Sequence, residues 1–481
     1  MIELSERALD SLPPHVRVPR FDRRSLRAGI VHIGVGNFHR VHQALVIDDC
    51  LEERGNEGWA ICGVGIVPGE AGRAKAATYR KQDYLYTVTE FAADGSARVR
   101  VVGAMINYLH APGDPEAVLL RMSSPDTRIV SLTITEGGYD RDKVLAEHDP
   151  NGVPRTAFDF IVEALERRRN AGFPPFTVMS CDNLRSNGDT TRAIVLALAR
   201  ATNPGLADWI EREGAFPNSM VDRIAPRVSA DDRRMVNGFS GIEDAVPAIC
   251  EVYTNWVMED RFCNGRPPFK RFGVTMRDDV ALFESIKGRL SNAAHMMLCY
   301  PAVLLGYRLI NEAMGDHRLV KLLRDFWRID AIPLVTPPAG VSPHDFTEQV
   351  IERFANKGIN DQVLRVAHDG ASKIMVFHSK TISQLIAGGG ALDREAFMLA
   401  CFARYLFGRD GRGQSFPVDE PQLSEEDWTL ARSRDPLAVL RLHPFRDLHL
   451  AESGAFRQAF ARFSQAIAEK GVSRVLDELV A

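Results

Sequence analysis

Apolar residues come in short dense runs through the first half of the chain and at helical intervals through the second. Gly29-Ile-Val-His-Ile-Gly34, Trp59-Ala-Ile-Cys-Gly-Val-Gly65, Ile129-Val-Ser-Leu-Thr-Ile-Thr135 and Phe176-Thr-Val-Met-Ser-Cys-Asp182 read as buried strands. Helical periodicity covers 41–53, 70–82 and 157–170. Leu85-Tyr-Thr-Val-Thr-Glu-Phe91 and Arg98-Val-Arg-Val-Val102 alternate like a hairpin, with Asp94-Gly95 as its turn. Buried strands alternating with helices predict a Rossmann-type α/β domain built on a doubly wound, mostly parallel sheet.

From about residue 278 the pattern changes to long helical segments: 279–300, 301–314, 317–327, 345–356, 358–367, 371–387, 394–407 and 455–479. The chain therefore divides into a Rossmann-type domain, 1–278, and a mainly α-helical domain, 279–481. Gly408 to Glu426, rich in Gly, Pro, Asp and Glu, reads as a surface loop, and Gly388-Gly-Gly390 as a helix stop.

The 481 residues exceed what one core accommodates, which agrees with two domains. A formal net charge of -4 argues against nucleic acid or an anionic membrane as partner. No apolar run reaches the roughly 18 residues that span a bilayer, and Met1-Ile-Glu-Leu-Ser-Glu-Arg lacks the basic-then-apolar pattern of a signal peptide. Seven scattered cysteines without a C-x-x-C pair read as reduced thiols of a cytoplasmic protein.

Two motifs point to chemistry. Gly34-Val-Gly36 follows the first strand and opens a helix. Its first glycine allows the tight turn, and its second lets a pyrophosphate approach the helix N-terminus. Asn37, Phe38, His39 and Arg40 continue this cofactor-side set, with His39 where the fingerprint has a third glycine. Glu70, beyond the second strand, either accepts hydrogen bonds from an adenosine ribose, favouring NAD over NADP, or is an ordinary helix N-terminal glutamate. The second motif is K-x4-N-x2-H. On an α-helix Glu284, Lys287, Asn292 and His295 fall within an arc of roughly 140° over about 16 Å. By spacing alone this face is either a solvated stripe or a site. No H-E-x-x-H, zinc-type Cys/His spacing, G-x-S-x-G elbow or Walker A motif is present, so nothing points to a metal or a serine nucleophile.

Five stretches together resemble the long-chain, polyol-specific mannitol dehydrogenases. They are Val31-His-Ile-Gly-Val-Gly-Asn-Phe-His-Arg-Val-His-Gln43, Ser131-Leu-Thr-Ile-Thr-Glu-Gly-Gly-Tyr139, Ser180-Cys-Asp-Asn-Leu-Arg-Ser-Asn-Gly188, Phe216-Pro-Asn-Ser-Met-Val-Asp-Arg-Ile-Ala-Pro226 and K-x4-N-x2-H. The resemblance implies a metal-independent, NAD(P)-dependent oxidoreductase that interconverts a sugar alcohol and a ketose, with its site between the two domains. Lys287 stands at the family's general base, a role that requires a pKa lowered from about 10.4 toward neutral. Asn292 and Asn183 match amides that donate to the developing alkoxide. His295, Asp222, Arg365, His368 and Lys373 match polyol contacts, with Arg365 and His368 at i, i+3 facing one way on a helix. Glu284 either gates proton exchange or pairs with Lys287. The implied substrate is a C6 polyol, mannitol first, with sorbitol or arabinitol as side substrates, and the implied enzyme is a monomer. Arg365 also suits a carboxylate, so a hexuronate (fructuronate or tagaturonate) reductase is the alternative. A catalytically inactive NAD-binding regulator is a third reading.

Overall fold

The structure, a computed structural model, describes residues 1–149, 152–433 and 435–481. The chain forms two compact units, Met1–Ala281 and Leu282–Ala481. The first is a Rossmann-type α/β unit and the second is mainly helical. Among the described residues no helix is long and apolar enough to cross a membrane.

At the centre of the first unit lies a five-stranded, all-parallel sheet. Its spatial order is Met105–His110, Ile61–Gly65, Ile30–Ile33, Ile129–Leu132 and Thr177–Ser180. The four predicted strands are there, each buried on both faces as their unbroken apolar runs require. The fifth, Met105–His110, escaped notice because only two of its six residues are buried. Strand order reverses beside Ile30–Ile33. The chain runs outward to one edge, then returns to place Ile129–Leu132 on the other side. That reversal puts the end of Ile30–Ile33 at a topological switch point, where such sheets bind ligands.

The hairpin forms between Tyr86–Phe91 and Ala97–Val102, with Gly95 at φ 86° in its turn. It belongs to a second, mixed sheet that also includes Val16–Arg17 and Ala248–Glu251. Helix Ala157–Asn170 begins at a capping box, in which Thr156 and Asp159 satisfy each other's backbone N–H groups.

In the second unit, helix Ala293–Leu305 is buried nearly all round and packs against Asp393–Tyr405, which in turn packs against Gly454–Val480. Four expectations need correction here. The helix expected over 279–300 is α-helical only over Val280–Ile286 and from Ala293. Between them Lys287–Asn292 is a π-helical turn. Pro301 does not start a new helix but lies inside Ala293–Leu305, which stops at Gly306 with φ 95°. The segment 371–387 is two helices, Gly370–Phe377 and Ser379–Gly388, and the second ends on Gly389 at φ 64°. Finally, 408–426 is not merely surface: Asp410, Phe416, Glu420 and Leu423 are buried, and helix Glu425–Ala431 starts within it.

Candidate functional site

The candidate residues divide between the two units. In the first, Gly34 takes φ 93°, and a Cβ there would stand 2.1 Å from the Thr133 carbonyl, so only glycine fits. Gly36 is different: a Cβ on it would meet nothing nearer than the Gly34 carbonyl at 3.7 Å. The space over Gly36 is open, as a pyrophosphate needs. Lys75, from helix Gly69–Lys81, donates its ammonium to the Val35 carbonyl and so sets a cation at this turn. Burial, and then the Arg40 charge, lower its pKa to about 8. The sequence reading missed Lys75, whose helical spacing carries no motif.

Beneath the turn lies a chain of polar groups. His32 Nδ1 is 2.8 Å from Ser131 Oγ, and Nε2 is 2.9 Å from Thr133 Oγ1. Thr133 donates its hydroxyl to the Gly34 carbonyl at 2.7 Å. Burial pushes the His32 pKa down to about 3, so the ring is neutral and donates from one nitrogen only. Ser131 donates its hydroxyl to Gln43 Oε1 at 3.0 Å, so its oxygen is left to accept from His32 Nδ1–H.

The remaining cofactor-side residues are placed unequally. His39 is 1 % exposed and stacked on His32, with ring centroids 3.5 Å apart. Its ring therefore supports the turn from inside. Arg40 is buried too, donating to the Gly36 carbonyl, Asn37 Oδ1 and the Val246 carbonyl. Asn37 and Arg40 line a cavity of about 420 Å3 with Arg227, Ser229 and Arg233, a basic lining. Phe38 stacks on His42 at 4.7 Å. Glu70 lies exposed in the first turn of helix Gly69–Lys81, just past strand Ile61–Gly65.

Asn183 and Asp222 belong to neighbouring chain segments joined by Asn187. The Asn187 amide donates to the carbonyls of Ser180, Asp182 and Ser219 and accepts from Ser219 N–H at 2.9 Å. Asn183 is exposed at the end of strand Thr177–Ser180, whereas Asp222, ending strand Ser219–Asp222, is 7 % exposed. Asp182 accepts hydrogen bonds from Ile134 N–H, Thr135 N–H and the Tyr139 hydroxyl at 2.7–2.9 Å. Burial nevertheless pushes its carboxyl up to about 6. In the V-D-R-I motif Arg223 is an anchor, ion-paired with buried Glu90 and donating to the carbonyls of Val41 and Glu251.

In the second unit Lys287 and Asn292 stand at the two ends of the π turn. Ala293 N–H donates to the Gly288 carbonyl, an i+5 to i bond. Over five residues an α-helix would leave Asn292 about 140° around the axis from Lys287. Closing the turn at i+5 swings it back toward the Lys287 side of the helix. The turn is held from behind. Arg289 donates to the Leu334 carbonyl and to Gln384 Oε1, and Trp327 Nε1–H donates to the Leu290 carbonyl at 2.8 Å. His378 Nε2 reaches the Ala293 carbonyl at 3.0 Å, its Nδ1 meeting Glu395. Lys287 is 8 % exposed, while Glu284, Asn292 and His295 are half-buried; His295 stacks on Phe354 at 3.8 Å.

The turn packs against helix Gly370–Phe377, which carries Lys373, and helix Ala293–Leu305 packs against Val363–Ala367, which carries Arg365. His368 caps that helix, its N–H donating to the Leu364 carbonyl at 3.0 Å, so it keeps the i, i+3 spacing from Arg365; its ψ of 140° turns only the chain that follows. Arg365 is clasped by Asp361: Nε to Oδ1 and Nη2 to Oδ2, both 2.5 Å. Lys373 Nζ donates to the Val366 carbonyl at 3.0 Å, and His368 Nδ1 lies 2.9 Å from Asp419 Oδ2. Among the described residues no group of three or more His, Cys, Asp or Glu is placed to hold a metal ion, and the seven cysteines are free.

Comparison with known proteins gives a consistent result. The family model described as the mannitol dehydrogenase Rossmann domain matches residues 28–271, and the one described as the mannitol dehydrogenase C-terminal domain matches 279–467. A polyol:NADP oxidoreductase of Gluconobacter oxydans is 41% identical over 98% of this chain and 99% of its own. A mannitol 2-dehydrogenase of Phaeosphaeria nodorum is 40% identical over 88% and 76%. Among solved structures, the ternary complex of Pseudomonas fluorescens mannitol 2-dehydrogenase with NAD and D-mannitol is similar, with TM-score 0.92, 37% identity and coverage of 100% and 99%. A substrate-free D-sorbitol dehydrogenase matches with TM-score 0.87, 41% identity and coverage of 98% and 99%.

Proposed function

The chain belongs to the mannitol dehydrogenase family, and from that premise we propose that it oxidises a secondary hydroxyl of a sugar alcohol to a ketose. D-Mannitol to fructose is the favoured reaction, with sorbitol or arabinitol as further substrates. NAD is the cofactor and Lys287, rather than a metal ion, is the base. The observation that supports this reading is the π turn Lys287–Asn292, with a buried lysine at one end and the Asn292 amide at the other.

The turn Gly34–Gly36 and Lys75 fit a pyrophosphate, and the Glu70 carboxylate, which would repel a 2′-phosphate, supports NAD over NADP. When bound, the dinucleotide supplies the hydride acceptor. Lys287 takes the hydroxyl proton as the carbon–hydrogen bond breaks. Asn292 and Asn183 donate to the oxygen as negative charge builds on it; neutral amides do this without a proton of their own to lose. His295, Asp222, Arg365, His368 and Lys373 hold the remaining hydroxyls, and several directed partners reject deoxy analogues by leaving buried groups unpaired.

Polyol is favoured over hexuronate by the Arg365–Asp361 clasp. A carboxylate binds best to a free guanidinium fork, but Asp361 already occupies the Nε–Nη2 edge. The proposal includes a monomeric, cytoplasmic enzyme. Incubating the protein with NAD and D-mannitol, or NADH and D-fructuronate, while following NADH absorbance tests the reading. NAD reduction by mannitol is expected. Turnover with the uronate alone would overturn the polyol assignment, and no turnover with either class would leave an NAD-binding regulator.

A further inference from the structure

Between helices Val363–Ala367 and Gly370–Phe377 the chain is neither helical nor self-supporting. His368 is extended and Asp369 takes φ 52°. Asp369 stands at the N-cap position yet makes no side-chain cap; its carboxylate instead accepts the Ser372 hydroxyl at 2.8 Å. The missing cap comes from far along the chain. Glu420, 4 % exposed, accepts Gly370 N–H on Oε1 at 2.9 Å and Ala371 N–H on Oε2 at 3.0 Å. Its neighbour Asp419 accepts Asp369 N–H on its carbonyl at 2.9 Å and faces His368 Nδ1 with its carboxylate at 2.9 Å. Gly370 has no room for a side chain: a Cβ would stand 2.1 Å from Tyr300 Oη and 2.8 Å from Glu420 Oε1.

The loop bearing these acids is itself fixed. Asp410 accepts from Arg308 and from the backbone N–H groups of Arg412 and Gln414, Gly411 N–H donates to the Leu304 carbonyl, and Phe416 stacks on Tyr405 at 5.5 Å. A loop anchored to the core thus holds the segment that carries His368 and Lys373.

We propose that Asp419 and Glu420 are positioning residues: Asp419 holds the Nδ1 edge of His368 and so turns Nε2 to substrate, and Glu420 fixes the helix that bears Lys373. The inference rests on the assignment of His368 and Lys373 as substrate contacts. Because a carboxylate only accepts, Nδ1 carries a proton toward Asp419, which fixes both the rotation of the ring and the nitrogen left for a substrate hydroxyl.

The test compares Asp419→Ala, His368→Ala and the double variant of the full chain, with NAD and D-mannitol. The Asp419 side chain is 71% exposed, so its removal leaves folding intact, which a thermal melt verifies. Asp419→Ala is expected to raise the KM for mannitol about tenfold, the effect of one hydrogen bond, with kcat nearly unchanged. It should add nothing in the His368→Ala background. An unchanged KM in Asp419→Ala, or the same loss with and without His368, overturns the clamp while leaving His368 a substrate contact. An unchanged KM in His368→Ala instead removes the substrate assignment on which the clamp depends. For Glu420, Glu420→Asp should recover part of the mannitol KM lost in Glu420→Ala; equal KM values in wild type and Glu420→Ala exclude it.

Discussion

Lys287 brings a cation to a nearly dry position, and in the proposed reaction it is the group that must give up and regain a proton. Replacing it by alanine removes the base and leaves the cofactor turn, in the other unit, untouched. Lys287→Ala should lower kcat by about 10²–10⁴, the range general-base catalysis contributes. NADH affinity, read by fluorescence titration, should stay within experimental error; an unaltered kcat removes Lys287 as the base. Glu420 titrates for a different reason. Burial raises its carboxyl from 4.5 to about 7 despite the two backbone N–H groups it accepts. Its folded pKa lies above the unfolded one, so its stabilising contribution is complete below about 4.5 and is lost as pH rises through about 7. Urea denaturation across that window should show stability falling with pH, and the decline should be shallower in Glu420→Gln, which cannot ionise. Equal slopes would place the dependence elsewhere.

At the scale of elements, the π turn depends on donors that reach it from neighbouring helices. Trp327 Nε1–H serves the Leu290 carbonyl from inside a second π turn, Phe326–Ala331. Trp327→Phe keeps most of the ring volume but removes that buried carbonyl's indole donor, at a cost of about 0.5–1.5 kcal/mol. A lower melting temperature and a reduced kcat are expected together, because the turn that holds Lys287 and Asn292 loosens. A fall in stability with full kcat would show that the turn does not set their alignment. The sequence marked this helix and its chemical residues but not its geometry. A 3.6-residue period and one i+5 turn differ over Lys287–Asn292 by less than a residue, so apolar spacing cannot separate them. A similar limit hides the end of the helix at Ala367, where Asp419 and Glu420 hold the next residues. Contacts made by residues 50 positions away leave no local signature. The four buried strands were legible for the opposite reason, since each is short, mainly apolar and buried along its whole length.

Over the whole molecule, the residues proposed for the cofactor turn and for the base belong to separate units, which makes the two proposals separable by experiment. Gly36 has extended backbone, φ -109° and ψ -170°, and open space where a side chain would go. Gly36→Val should therefore fold normally while filling the room proposed for the pyrophosphate. Saturating NADH, about 100 times its dissociation constant, stabilises a protein by about 2.7 kcal/mol. The melting temperature of wild type and of Lys287→Ala should rise accordingly, and that of Gly36→Val should not; a full rise in Gly36→Val would relocate the cofactor. Such a division was readable from the change of hydrophobic period near residue 278, whereas the anchored loop at 408–420 was not, because its composition is that of any solvated chain.

The π turn also acts as a frameshift. An α-helix that absorbs one surplus residue resumes about 100° out of phase with itself. Val280–Ile286 and Ala293–Leu305 are thus two reading frames on one rod. A residue in the first frame cannot be exchanged for one in the second by counting turns. Deleting a single residue from Lys287–Asn292 would merge the frames into one α-helix whose two flanks keep their present neighbours, while the spacing between Lys287 and Asn292 is lost.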